Sequence, residues 1–349
     1  MVAAITIHSF TSKQGVTIML FTTSPDAFKA RFTDGLQNML TPDGLGAFIL
    51  VLANSMQDAQ LRQQLATPLR ETFAQLQQRQ PNGPVDDVAT FTALLKTGIE
   101  IFSGWEYARA EPWELVINPL RGLRPMRVSG EVFHELYQAF AADKFHFNKP
   151  FLRPEILWEG TAEGMNLRVL YNKFPFVPWH TLIVPEPQAT LPQFLTQSYH
   201  ERMMALATNT ATYLPGFGIA FNSVGAYASV NHLHFQGFIR PSAFPVEAAQ
   251  WQHNGGTQAY PLHCWRADSA QTAWEIIEGL HRENRPYNLL YRPQGCYIMP
   301  RKGQGTVSLP DWTQGIGWHE LCGVFTLVEK SAATMGCSVF SHELSRLTY

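Results

Sequence analysis

Apolar residues recur every three or four positions along the first third of the chain, the spacing of an amphipathic α-helix. Ser24 and Pro25 open the first such segment as an N-cap and a first helical residue. Its apolar face consists of Phe28, Phe32, Leu36 and Leu40. Similar start signals stand at 41–43 and 67–68. The pattern predicts an N-terminal helical region over residues 1–112, whose apolar faces form core.

The pattern changes at Trp113, where short runs rich in β-branched and aromatic residues begin to alternate with proline and glycine. The predicted strands are 166–172, 180–185, 217–222, 232–239 and 297–300. Helical patterns cover 131–141, 191–213 and 318–335. Strands interleaved with helices favour an α+β domain over 113–349, with an antiparallel sheet and flanking helices.

Two stretches of this second region resemble each other. Residues 172–185 and 285–300 share an aromatic–proline opening and a strand that ends in proline, and each precedes a helical pattern. A duplicated unit with halves at 144–245 and 283–345 is one interpretation. A single undivided domain is the other, and the echo alone does not decide between them.

Charge narrows the class of partner. The chain has 26 Lys and Arg against 28 Asp and Glu, a formal net charge of −2. This balance argues against a protein that coats nucleic acid and against a polybasic membrane-surface protein. Charged residues make up only 15% of the chain, against about 25% in an average soluble protein. The polar surface must therefore rely on neutral side chains.

The four cysteines form no C-x-x-C pair, which favours a reducing compartment over a disulfide framework. No apolar run reaches the ~18 residues of a membrane span. The first residues lack the basic start of a secretory signal, and Met19 is an alternative start to Met1. We therefore expect a cytoplasmic protein with neither a membrane nor a nucleic-acid partner.

The chemistry-bearing stretch is 221–239, FNSVGAYASVNHLHFQGFI. On a strand His232, His234 and Gln236 would share one face, with neighbours about 6.6 Å apart. The turn-like residues Asn222 and Ser223 precede them, where hydroxyl and backbone N–H groups could face an anion.

Three interpretations of the two histidines compete. They are a solvated strand face, a metal-ligand pair, or a site of covalent catalysis on phosphorus. A metal site of the cupin kind needs a carboxylate shortly after the pair, but none follows before Glu247. The metal interpretation, with its metal-dependent β-fold enzyme, loses support, and we predict no metal ligand.

SVNHLHFQ (229–236) resembles the active-site strand of the histidine-triad superfamily, in the branch that ends in glutamine. That branch contains nucleotidyltransferases and phosphorylases. The GDP-hexose phosphorylases are most similar, because 144–149, 221–236 and 286–291 resemble their segments in the same order. Galactose-1-phosphate uridylyltransferase and diadenosine tetraphosphate phosphorylase are more distant. The resemblance runs from about Lys144 to Val339 and implies a histidine-triad-like antiparallel sheet.

The resemblance also implies roles for individual residues. His234 would be the nucleophile, His232 its support, and Gln236 a hydrogen-bond donor to a phosphoryl oxygen. Contacts to phosphate or nucleotide would come from Asn222, Ser223, Ser229, His180, Asn172 and Lys173. For Asn172, Lys173 and His180, a capped loop without ligand contact is an equal alternative. For the arginines of 119–127 we favour a solvated loop.

The implied activity is cleavage of the pyrophosphate bond of a nucleotide sugar through a covalent nucleotidyl-His234 intermediate. No cofactor is implied. Inorganic phosphate or a sugar phosphate would be the acceptor. Alternatives are a dinucleoside polyphosphate phosphorylase, a uridylyltransferase-like enzyme and a non-catalytic nucleotide-binding module. Uridylyltransferases often carry a zinc site with a C-x-x-C pair, which this chain lacks. The helical third is a candidate assembly surface, for instance of a homodimer.

Overall fold

The computed structural model describes residues 22–41, 44–124 and 133–349. The two candidate start methionines and Arg127 lie outside these ranges. Four helices come first: α1 (Pro25–Met39), α2 (Leu45–Ser55), α3 (Ala59–Gln77) and α4 (Val85–Thr97). These four helices fall within the region expected to be helical, but residues 106–110 of that region form a strand.

Two of these four helices begin after a residue whose side chain accepts a hydrogen bond from the first turn of the helix. The Ser24 hydroxyl accepts a hydrogen bond from the Ala27 N–H group at 3.2 Å and caps α1. The start expected at 67–68 is wrong, because α3 begins at Ala59 with Asp58 as its cap and runs through Pro68. Its buried leucines continue across the proline at four-residue spacing, and their burial offsets the cost of about 3 kcal/mol of an interior proline.

Eleven strands follow among the described residues. They are β1 (Glu106–Ala110), β2 (Trp113–Ile117), β3 (Ile156–Ala162), β4 (Met165–Tyr171), β5 (Thr181–Pro185), β6 (Phe217–Asn222), β7 (Phe235–Ile239), β8 (Trp265–Ala267), β9 (Tyr287–Arg292), β10 (Gly295–Pro300) and β11 (Val324–Leu327). Eight form one antiparallel sheet in the order β3-β4-β5-β7-β6-β9-β10-β8. The others form a small sheet, β1-β2-β11, in which β2 and β11 are parallel.

Four further helices complete the fold: α5 (Gln197–Ala211), α6 (Ala270–Arg282), α7 (Trp318–Leu321) and α8 (Cys337–Arg346). Helices α5 and α6 pack against the large sheet. The expected α+β class, an antiparallel sheet with flanking helices, is confirmed. No helix in the described part of the chain has both the length and the apolar character needed to cross a membrane.

Three local predictions are wrong. Residues 133–141 form no helix, because side chains bind their backbone: Asn284 accepts from the Leu136 N–H group, and Asn231 donates to the carbonyls of 138 and 139. The helix expected over 318–335 ends at Leu321, where Gly323 turns the chain at φ +90° into β11. The strand expected over 232–239 begins only at Phe235, so both histidines precede it.

The division at residue 112 falls between the paired strands β1 and β2. The domain boundaries, including the halves at 144–245 and 283–345, stay predictions.

The helical region is bonded to the segment between β4 and β5. The Tyr171 hydroxyl donates to the Phe32 carbonyl at 2.8 Å, and Asn54 Nδ2 donates to the Asn172 carbonyl at 2.9 Å. Lys173 Nζ lies 2.6 Å from the carboxylate of Asp87 in α4. This segment, 172–180, ends at His180, so the helices hold one of the candidate site residues in place.

Removing the ion pair should destabilise the protein. In Lys173→Met the buried Asp87 carboxylate loses its partner, and we expect the free energy of unfolding to fall by about 2–3 kcal/mol. Chemical denaturation measures it. The exposed pair Arg70–Glu100 provides the control, since Arg70→Met should leave stability unchanged within error. Equal small effects in both variants would contradict the structural role of Lys173.

Candidate active site

His234 immediately precedes β7, and an amide side chain fixes its backbone. Gln193 Oε1 accepts from the His234 N–H group at 2.8 Å, and Gln193 Nε2 donates to the His234 carbonyl at 3.1 Å. The same Nε2 donates to the carbonyl of Asn222, at the end of β6, at 2.8 Å. Gln193, which no sequence motif marks, therefore joins the two segments of the site.

The ring of His234 is held in one tautomer. Its Nδ1 lies 2.8 Å from the carbonyl oxygen of His232. Since a carbonyl only accepts, Nδ1 carries the proton, and Nε2 carries the lone pair. No described residue forms a hydrogen bond with Nε2. Burial lowers the pKa of His234 to about 4, so the ring is neutral near pH 7.

His232 supports the wall beside His234. Its Nδ1 accepts from the Phe147 N–H group at 3.2 Å, and the Phe147 ring meets the His234 ring edge-on at 5.0 Å between centroids. Burial lowers the pKa of His232 to about 4, assisted by the positive charges of His234, His146 and Arg168 when these groups are charged. His232 thus binds the segment 144–149 against the imidazole of His234.

Gln236 lies in β7 with its oxygen fully engaged. Its Oε1 accepts from the indole Nε1 of Trp318 at 2.7 Å and contacts His180 Nε2 at 3.0 Å. Its amide nitrogen has no hydrogen-bond partner among the described residues. Burial, together with the charges of Arg121 and Arg124, lowers the pKa of His180 to about 3. The Gln236 side chain is therefore anchored through its oxygen, and the two N–H donors of its amide stay available.

The two residues expected to cradle phosphate are bonded within the protein. Asn222 Oδ1 accepts from Asn288 Nδ2 at 2.6 Å. The Ser223 hydroxyl accepts from the Tyr287 N–H group at 2.9 Å. Ser229 is exposed, further along the same loop. Asn222 and Ser223 thus attach the loop to β9, whereas the Ser229 hydroxyl has no hydrogen-bond partner among the described residues.

The two candidate residues in the segment before β5, Asn172 and Lys173, lie in different surroundings. Asn172 Nδ2 lies 3.2 Å from His180 Nε2, and its Oδ1 accepts from the Phe174 N–H group at 3.0 Å. Asn172 therefore lies beside His180 and Gln236. The ammonium of Lys173 is instead engaged by Asp87.

Arg121 brings positive charge close to the site. It donates to the Phe174 carbonyl at 2.9 Å and lies 4.6 Å above the ring of Phe176, which contacts His180. Burial, together with the charge of the neighbouring Arg124, lowers the pKa of Arg121 to about 9. The solvated loop expected here is wrong for Arg121, because its guanidinium packs on an aromatic ring. Within the described ranges, no three His, Cys, Asp or Glu side chains are grouped to hold a metal ion.

Comparisons with known proteins show that part of this chain is similar to proteins named as GDP-hexose phosphorylases. Residues 115–238 match a family model described as "GDPGP1-like, N-terminal domain". GDP-D-glucose phosphorylase 1 of Danio rerio is 37% identical over 139 residues, 38% of each chain. GDP-L-galactose phosphorylase 1 of Arabidopsis thaliana is 25% identical over 201 residues, 48% of this chain and 45% of its own.

These matches span less than half the length of the curated relatives. Among solved structures, the yeast Ap4A phosphorylase Apa2 with Ap4A aligns with a TM-score of 0.49 and 17% identity, over 74% of this chain and 96% of its own. The family match includes His180, Asn222, His232, His234 and Gln236. The resemblance to GDP-hexose phosphorylases that the sequence predicts is confirmed.

The neutral histidines of the site predict acid-sensitive stability. The unfolded chain binds protons below pH ~6.5 that His180, His232 and His234 do not bind when folded, until about pH 3–4. The free energy of unfolding should fall as the pH is lowered from 6.5 to 4.5. His234→Gln should reduce this slope by about 1.4 kcal/mol per pH unit.

Denaturant unfolding at pH 4.5, 5.5 and 6.5 measures the slope. Trp251→Phe provides the control, because it removes a buried N–H bond to Pro245 but no titratable group, and should lower stability equally at each pH. An unchanged slope in His234→Gln would show that His234 is not held neutral.

Proposed function

We propose that this protein is a nucleotidyltransferase of the phosphorylase type, which cleaves the pyrophosphate bond of a nucleotide sugar. GDP-hexoses are the first substrate class, because the curated relatives carry names of that activity. The observation that carries the proposal is the state of His234. Its proton is held at Nδ1 by a backbone carbonyl, and its second nitrogen has a free lone pair.

In the first half-reaction, Nε2 of His234 attacks the α-phosphorus. The bond from that phosphorus to the bridging oxygen breaks, and the hexose 1-phosphate leaves with the electron pair. The ring gains positive charge as the nucleotidyl bond forms. The Nδ1–H bond to the His232 carbonyl, at 2.8 Å, strengthens at that moment and stabilises the charged ring.

In the second half-reaction, an oxygen of inorganic phosphate attacks the same phosphorus from the opposite side. The P–N bond breaks, the nucleoside diphosphate leaves, and His234 returns to its neutral form. The leaving group of the first step is a phosphate whose second pKa is near ~6, and the leaving group of the second step is the neutral imidazole of His234, so neither step requires a general acid. An amide at Gln236, which has no acidic proton, suits this chemistry.

We further propose how the remaining candidates divide. Gln236 donates from Nε2 to a phosphoryl oxygen, and the exposed Ser229 contacts phosphate from the loop. Asn222 and Ser223 act indirectly, since their side chains bind β9. His180 and Asn172, which lie beside Gln236, contact the nucleotide part of the substrate. Lys173 serves the helical region through Asp87.

A covalent adduct is the direct test. The protein is incubated without phosphate with GDP-glucose, other nucleotide sugars and diadenosine tetraphosphate, and its intact mass is measured. We expect an added nucleoside monophosphate that is absent in His234→Ala. Added phosphate should release the nucleoside diphosphate. His253→Gln, whose imidazole binds the distant Val246 carbonyl, should form the adduct as the unaltered protein does.

The substrate that gives the fastest adduct distinguishes a nucleotide-sugar phosphorylase from a dinucleoside polyphosphate phosphorylase. An adduct that persists in His234→Ala would contradict the role of His234. Binding of nucleotide sugars without any adduct or turnover would indicate the non-catalytic module.

A further inference from the structure

We infer that Trp318 is a positioning residue, which fixes the orientation of the Gln236 amide for catalysis. The inference rests on the proposed function and adds a residue that no sequence motif marks. Trp318 begins α7, far from β7 in sequence, yet its Nε1 lies 2.7 Å from Gln236 Oε1. The indole is fully buried.

The donor chemistry decides which end of the amide faces Trp318. An indole N–H group only donates, so the atom it contacts must be the amide oxygen. The other contact, His180 Nε2, does not decide the orientation. An imidazole can donate to the oxygen in one tautomer or accept from the nitrogen in the other. Among the described residues, Trp318 alone therefore excludes the rotated amide.

Trp318 is itself held rigidly. Its ring stacks on Phe238 at 5.1 Å with 19° between the planes, and the edge of Phe244 packs against it. Phe238 lies two residues after Gln236 in β7. The indole therefore contacts this one strand twice, through its ring at Phe238 and through its N–H group at Gln236. At the start of α7, the Glu320 carboxylate accepts from the Gly317 N–H group at 2.9 Å and fixes the helical turn.

The orientation matters because the two ends of an amide have opposite effects on an anion. With its oxygen on Trp318, Gln236 offers N–H donors to the phosphoryl oxygens, whose charge rises during the attack by His234. A rotated amide would present its oxygen to them and repel them. The loss should therefore affect the chemical step more than nucleotide binding.

The test compares Trp318→Phe with Trp251→Phe. Both remove one buried indole donor at 2.7 Å, but Trp251 donates to the Pro245 carbonyl and does not contact the site. The rate of adduct formation is measured in a single turnover with GDP-glucose. We expect Trp318→Phe to slow it about 10-fold with little change in the half-saturating concentration, and Gln236→Leu about 100-fold. Trp251→Phe should match the unaltered protein.

A double-mutant cycle separates positioning from general packing. If Trp318 acts through Gln236, Trp318→Phe should cause no further loss in the Gln236→Leu background. Should that background not fold, Gln236→Glu replaces it, because a carboxylate has two equivalent oxygens and no orientation to lose. A full 10-fold loss in either background, or no loss in the unaltered background, would overturn the inference.

A second measurement does not depend on activity. In protein labelled with [15N]tryptophan, the Trp318 indole resonance, assigned by its disappearance in Trp318→Phe, should shift in Gln236→Leu while that of Trp251 does not. An unmoved Trp318 resonance would overturn the inference. If the unaltered protein forms no adduct with any nucleotide, the proposed function fails, and this resonance alone decides whether Trp318 binds Gln236.

Discussion

The hydrogen bond from His234 Nδ1 to the His232 carbonyl is the contact on which the rest of the site depends. A buried imidazole has two tautomers of similar energy, and only one leaves a lone pair at Nε2. A backbone carbonyl selects that tautomer without adding a charge. A carboxylate in its place would raise the pKa of the ring and favour its protonated form. The carbonyl in turn needs a rigid backbone, which Gln193 supplies by accepting from the His234 N–H group, while the Phe147 N–H group holds the ring of His232.

Neutral groups do most of this work, which gives the low charge fraction of the chain a local meaning. Gln193, Gln236 and Asn288 are buried amides whose partners are backbone groups and neutral side chains. An amide can be buried at modest cost when its bonds are made, whereas an unpaired carboxylate cannot. Arg121, whose positive charge lowers the pKa of His180, lies over the aromatic ring of Phe176. A near-zero net charge is therefore compatible with binding a phosphorylated ligand.

Local patterns were enough to predict the fold class, the helical first third, and most strands from 166 to 300. They also selected the segment that holds His232, His234 and Gln236. They failed where a distant side chain sets the local backbone, as Asn284 and Asn231 do for residues 133–141. Gln193 and Trp318 had no local signal, because each acts through contacts with residues remote in sequence. Ser223 and Lys173 were selected by residue type, and only the fold reveals that their polar atoms are already bound.

The side-chain amide of Gln236 contacts residues from two separate parts of the chain, the segment 172–180 and the helix α7. His180 reaches it from the segment 172–180, which the helical region binds through Asn54 and Asp87. Trp318 reaches it from α7, which leads directly into β11 and so into the small sheet with β2. A shift of either part would break a contact with the same oxygen. The helical third, which has no recognisable chemistry of its own, therefore bears on the site through the position of His180. The small sheet bears on the site through Trp318. The orientation of the Gln236 amide therefore depends on contacts with both the helical region and the small sheet.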